Sequence, residues 1–232
     1  MKTSKNSVKG LLYMLAGIVL IAAVIKFGDL PQRANASTNI APLIAPADAA
    51  PEIIDLKAAL APRIMGDENA PVTIEEFASL TCSHCAHFNK ETFSALKEKY
   101  IDTGKVKFIY NDFPLNAPAL EAAMVARCLP EARYFQFIKF LFETQDQWAF
   151  NKDYSASLKQ NSKLLGLNDE SYEACVENEA LKGGLAQKMQ EAGKKHEIKS
   201  TPSFVINGTE KINGAQPLAA FEKVIDRLLE AN

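Results

Sequence analysis

Four cysteines occur in the 232 residues, and two of them stand three positions apart in Cys82-Ser83-His84-Cys85. Two thiols on one turn of helix can close and open a disulfide, which suits them to exchange with other thiols. The attacking species in that chemistry is a thiolate, so the surroundings of the first sulfur decide its reactivity. The run Val72-Thr73-Ile74-Glu75-Glu76-Phe77 reads as a strand, and a helical pattern opens directly after Cys82. Cys82 is thereby predicted at a helix N-terminus, where unpaired backbone N–H groups and the helix dipole favour negative charge. His84, between the two sulfurs, adds to that stabilisation when protonated. A stabilised thiolate is a good leaving group, and a disulfide that releases one is a strong oxidant.

Other uses of the pair fit less well. A structural zinc site needs four ligands, no second Cys-x-x-Cys exists, and His84 and His87 cannot easily join both sulfurs around one metal. Haem attachment requires His directly after the second cysteine, where this chain has Ala86. A purely structural disulfide would have no need of a helix start. Redox exchange is the preferred reading, and a non-catalytic module binding copper or zinc through its cysteines is the alternative from another class.

The elements that position the motif follow from periodicity. A turn over Gly66–Pro71 leads into the strand Val72–Phe77, and residues 83–100 read as a helix. Val106–Tyr110 and Ser203–Ile206 are further strands, and Asn207-Gly208 turns the chain into a short return strand at Lys211-Ile212. Between Ala117 and Ser200 the pattern is helical only: Ala119–Leu129, Ala132–Phe142, Leu158–Leu165, Glu170–Cys175 and Leu181–His196. A closing helix spans Pro217–Leu229. This order predicts an α/β fold with a mixed sheet, covered by helices and interrupted by a helical insertion. Phe88, Phe135, Phe137, Phe140, Phe142 and Trp148 are expected in the core. His87 reads as a surface or packing histidine, and His196, within Lys194-Lys195-His196-Glu197, as solvated.

Residues 1–10 carry Lys2, Lys5 and Lys9 with no acid, and the apolar run Leu11 to Ile25 follows, closed by Lys26. A basic segment before an apolar one is the pattern of a secretory signal. Fifteen helical residues span about 22 Å, short of the roughly 30 Å hydrocarbon core, which favours a cleaved signal. The cleavage candidate Ala34-Asn35-Ala36 lies well past the apolar run, so an uncleaved anchor stays open. Residues 37–61, rich in Ala and Pro and broken by Pro42, Pro46 and Pro51, read as a tether with a short helix around Ile53–Leu60. Residues 1–36 hold five of the 26 cations and one of the 28 anions, so the rest carries 21 against 27, a formal charge of −6. An acidic exported domain excludes nucleic acid as partner, which would need a basic stripe. With 47% hydrophobic and 23% charged residues, the chain is neither disordered nor collagen-like.

Three stretches together carry a family resemblance: Ala70-Pro71-Val72-Thr73-Ile74-Glu75-Glu76-Phe77, Thr81-Cys82-Ser83-His84-Cys85, and Thr201-Pro202-Ser203-Phe204-Val205-Ile206-Asn207-Gly208. The chain resembles the DsbA family of thiol:disulfide oxidoreductases over most of 62–232. The resemblance implies a thioredoxin-like fold with an inserted all-helical domain, the former from 62–114 and 199–232 and the latter from 115–198. Cys82 becomes the attacking and leaving sulfur and Cys85 its buried partner. Pro202 becomes a cis-proline that packs against the disulfide and presents the preceding backbone to an extended substrate. Glu76 matches a buried carboxylate beneath the site that accepts the Cys85 proton; its other reading is a water-facing Glu on an edge strand.

Ser83 departs from the proline usual in family oxidases, and Thr201 is more typical of isomerase and reductase relatives, so the redox direction is open. The implied activity is donation of the Cys82–Cys85 disulfide to unfolded, newly exported proteins with cysteine pairs. A membrane quinone-linked DsbB-type protein is the implied reoxidant. The expected enzyme is a periplasmic monomer without a bound cofactor. A disulfide reductase or isomerase is the alternative, although 37–61 is too short to supply the dimerisation domain an isomerase requires.

Cys128 and Cys175 end two of the inserted helices. In an exported protein they are expected to pair, with two buried free thiols as the alternative. Some DsbA-like proteins carry such a second bridge.

Overall fold

The computed structural model describes residues 54–231. The targeting segment 1–36 and most of the tether expected over 37–61 lie outside the described residues. The chain enters through a one-turn helix, α1 (Leu56–Ala59), whose first N–H groups are capped by the Asp55 carboxylate. A strand absent from the sequence reading follows, β1 (Arg63–Met65). The turn after it needs glycine: Gly66 sits at φ 93°, and a Cβ there would lie 2.6 Å from Val106 O.

Five strands form one mixed sheet in the order β1-β3-β2-β4-β5. At its centre β2 (Val72–Ala78) pairs in parallel with β3 (Val106–Asp112) and antiparallel with β4 (Ser203–Ile206). β1 borders β3, and β5 (Glu210–Asn213) borders β4, both antiparallel. Strict alternation in β3 sends Val106, Phe108, Tyr110 and Asp112 to the buried face. The hairpin predicted at Asn207-Gly208 forms, with both residues at positive φ, and the Asn207 side chain accepts from Thr73 N at 2.7 Å.

The predicted helix after Cys82 is one rod over 83–101, but it is not a plain α-helix. α2 (Ser83–Phe88) runs into a π turn (Asn89–Phe93), then α3 (Ser94–Leu96) and a second π turn (Lys97–Ile101). The inserted helices are α4 (Ala117–Cys128), α5 (Glu131–Glu143), α6 (Gln145–Trp148), α7 (Tyr154–Lys163), α8 (Asp169–Val176) and α9 (Glu179–His196). Asparagine side chains cap three of them: Asn116 for α4, Asn168 for α8 and Asn178 for α9. α10 (Leu218–Glu230) closes the chain and buries Phe221 and Ile225.

One hydrophobic cluster runs through sheet and insertion alike, joining Ile74, Phe88 and Phe204 to Val125, Phe137 and Trp148. Of the six aromatics expected in the core, Phe135 and Phe140 are only partly buried. His196 departs from its expected solvated place. It is buried at the end of α9, its ring 5.5 Å from that of Phe77 and its Nε2 3.9 Å from Glu75. The αL turn at Glu197 ends the helix there, and the charged neighbours in sequence hide that inward position. A buried polar knot also forms beside β3. Arg127 donates to Asp112 and to the carbonyls of Ala59 and Ala61, and Arg63 and Arg127 both lie about 5 Å from the Tyr134 ring.

Candidate active site

β2 ends at Ala78 and the loop Ser79–Thr81 delivers Cys82 to the N-cap of α2. Its extended backbone (φ −84°, ψ 120°) leaves the next N–H groups of the helix pointing at the sulfur rather than at a capping oxygen. Cys82 is half-buried, Cys85 is fully buried one turn on, and both are free thiols here. Hydrogen bonding by the Cys85 thiol holds Cys82 down to about 5 against the opposing effect of burial. The Thr201 side chain and the backbone N–H groups of Cys85 and His84 add to the lowering. Cys85 is driven far the other way, first by burial and then by the Cys82 sulfur and Glu76.

The peptide bond Thr201–Pro202 is cis, and the loop brings Thr201 O to 3.3 Å from Cys82 Sγ. As a thiol Cys82 donates to that carbonyl; as a thiolate it cannot. The buried Thr201 hydroxyl has no hydrogen-bond partner among the described residues, and its side chain is one of the groups that favour the thiolate. Ser83 and His84 are exposed on the first turn of α2, as is His87 further on. What His84 gives the sulfur in this arrangement is its backbone N–H.

Glu76 lies on the central strand, not an edge, with Tyr110 opposite on one side and Phe204 on the other. It is 4% exposed, while Glu75 takes the opposite face near His196. Burial, with a smaller contribution from the Cys82 charge, raises the Glu76 carboxyl to about 8. Cys128 and Cys175 are joined by a disulfide across the insertion.

Two contacts escaped the sequence reading. The buried Gln145 amide on α6 donates to Leu80 O at 2.8 Å and Cys82 O at 3.1 Å, pinning the start of the active-site helix to the insertion. Thr81 Oγ1 donates to Asn116 Oδ1, the cap of α4. Neither position shows a motif. Among the described residues no three His, Cys, Asp or Glu side chains gather as a metal site.

A family model described as thioredoxin matches residues 59–227. The crystal structure of Wolbachia pipientis alpha-DsbA1 superposes with a TM-score of 0.68 at 32% identity, over 73% of this chain and 92% of that one. A Rickettsia typhi protein named as a protein-disulfide oxidoreductase is 32% identical over 168 residues, which are 72% of this chain but 62% of its own length. Oxidised BdbD of Bacillus subtilis shares the fold, with a TM-score of 0.66 at 21% identity. A half-buried cysteine at a helix start, its buried partner, a cis-proline beside them and the 32% match to alpha-DsbA1 together make this chain a member of the DsbA family, a thioredoxin fold with inserted helices.

Proposed function

We propose that the chain is an exported thiol:disulfide oxidoreductase that donates its Cys82–Cys85 disulfide to newly exported proteins with cysteine pairs. The observation that carries this reading is the asymmetry of the pair: one accessible sulfur held as thiolate at neutral pH, the other buried and held as thiol. Stabilising the Cys82 thiolate stabilises the reduced enzyme, which makes the disulfide the stronger oxidant. A substrate thiolate attacks Cys82, a mixed disulfide forms, and Cys85 leaves. A second substrate thiolate then displaces Cys82. Glu76 exchanges the proton that Cys85 gains or loses, and Pro202 with Thr201 presents backbone to the client.

Exposed Leu115, whose N–H donates to Ser79 Oγ in the active-site loop, and exposed Phe150, five residues after Gln145, favour contact with unfolded chains. In this reading residues 1–36 direct export to the periplasm by cleavage or anchorage, 37–61 are a tether, and 115–198 form an inserted helical domain on a thioredoxin-like body of 62–114 and 199–232. The enzyme works as a monomer, and a membrane quinone-linked DsbB-type protein reoxidises it. Equilibration with glutathione, together with ultraviolet titration of the Cys82 thiolate, tests the direction. An easily reduced disulfide and a thiolate persisting to about pH 5 are expected; a thioredoxin-like potential, near −270 mV, would identify a reductase instead.

A further inference from the structure

Beneath the cysteine pair the sheet buries two polar groups side by side. Glu76 on β2 and Tyr110 on β3 are partners in the parallel register, so their side chains leave the same face of neighbouring strands. Both residues are buried, yet neither Glu76 Oε1 nor Tyr110 Oη has a hydrogen-bond partner among the described residues. Two such orphans in one place call for an explanation, because buried polar groups are nearly always satisfied by protein or water.

Both groups line one cavity of about 360 Å³. Phe93, Phe108 and Phe135 form apolar walls, and the exposed Ser94, Gln136 and Lys139 form its outer end. The cavity therefore runs from solvent to the buried pair along the flank of the active-site helix, away from the sulfurs. It is roomy enough for several waters at about 30 Å³ each, and its inner end offers them polar partners.

We propose that Tyr110 is a positioning residue for Glu76: through water held in this cavity its hydroxyl orients the carboxyl, and the cavity carries the Cys85 proton to and from solvent. The inference rests on the reading of Glu76 as the proton partner of Cys85. When a substrate thiolate bonds to Cys82 Sγ, the Cys82–Cys85 bond breaks and Cys85 leaves with the electron pair. Glu76 gives its proton to Cys85 Sγ and takes one from cavity water, so one proton passes from solvent to Cys85. Reoxidation moves it in reverse.

The titratable groups facing Glu76 are Cys82 and Cys85 at the start of the active-site helix and Tyr110 on β3, while β4 presents only Phe204. Tyr134 on α5 meets the Tyr110 ring, and beyond it stands Asp112. Lys97 and Lys139 at the outer end are paired with Asp102 and Glu143.

The test is the Glu76 titration in reduced Tyr110→Phe, followed by the carboxyl carbon NMR shift. Loss of the hydroxyl removes a donor that favours the carboxylate, so the midpoint near 8 is expected to rise by about one pH unit. An unchanged midpoint would overturn the proposal, whatever the melting temperature does, since a merely structural tyrosine alters only the latter. Should Tyr110→Phe fail to fold, a high-resolution crystal structure of the unaltered protein decides. Water bridging Glu76 Oε1 and Tyr110 Oη supports the assignment, and a dry inner end sinks it. Oxidation of a reduced client by the unaltered enzyme runs alongside; its failure would strike the proposed donor activity and leave the Glu76 result standing by itself.

Discussion

Cys82 titrates near 5 in the folded protein against 9.0 for an ordinary thiol, so folding of the reduced chain releases a proton that the unfolded chain keeps. A group with a depressed folded value contributes stability that is full above its unfolded value and lost as pH falls through the folded one. The reduced protein thus gains stability between about pH 5 and 9 that the oxidised protein, lacking that thiol, does not. Glu76 acts oppositely, costing the fold progressively from pH 4.5 to about 8. Its main cause is burial, which both redox forms share, so most of it drops out of the comparison. The melting temperature of the reduced form minus that of the oxidised form is expected to rise steadily from about pH 5 to 8. A flat difference across that range would contradict a thiolate at Cys82. Thr201→Val keeps the shape of the cis-proline loop and removes the hydroxyl donor. It is expected to raise the Cys82 midpoint by about one unit and to blunt the pH-dependent difference accordingly.

The active-site helix is held at its start by an element some sixty residues away in sequence. α6 is only four residues long, but Trp148 Nε1 fixes it to Leu141 O at 2.9 Å, and from there Gln145 reaches the carbonyls of Leu80 and Cys82. Cys82 O also accepts from Ala86 N, the first hydrogen bond of the helix. Gln145→Ala would strand the buried Leu80 O at a cost of about 2 kcal/mol, remove one of the two donors on Cys82 O and loosen that first turn. Faster hydrogen exchange at the Ala86 amide, with β3 amides unaffected, is the expected signature; unchanged exchange would show that α6 does not brace the site. None of this is legible in the sequence, where Thr144-Gln145-Asp146-Gln147 reads as a polar surface run. Strands β2 and β4 were legible because β-branched and aromatic runs alternate or fill both faces. β1 was not, because three residues make no pattern and the Gly66 turn and the edge of β3 decide their pairing. The π turns leave apolar spacing helical enough to pass as α-helix. Cys82 and Cys85 were readable from motif and spacing, and Pro202 and Glu76 only through the family resemblance, whereas Tyr110 looks like any core aromatic until its hydroxyl is found without a partner.

At the scale of the whole molecule, the second disulfide ties the insertion to itself and to the entering chain. Cys128 ends α4 and Cys175 lies on α8, 47 residues later, within a second hydrophobic cluster with Ala59 of α1, Met124 of α4 and Leu181 and Leu185 of α9. Arg127, the neighbour of Cys128, spans from that cluster to Asp112 on β3 and to the carbonyls of Ala59 and Ala61. Closing a loop of that length restricts the unfolded chain by an amount equivalent to roughly 4 kcal/mol, an upper figure because compact unfolded states lose less. The bridge is absent from the groups that set the Cys82 charge, so its first effect is on the fold. Cys128→Ser with Cys175→Ser is therefore expected to lower the unfolding free energy by about 2–4 kcal/mol in chemical denaturation. Hydrogen exchange should quicken in α4, α8 and α1 before it does in β2, because the loss begins in the second cluster while the sheet keeps its own core. An unchanged denaturation midpoint would mean that packing around Cys175 and the Arg127 bonds hold the insertion without the disulfide.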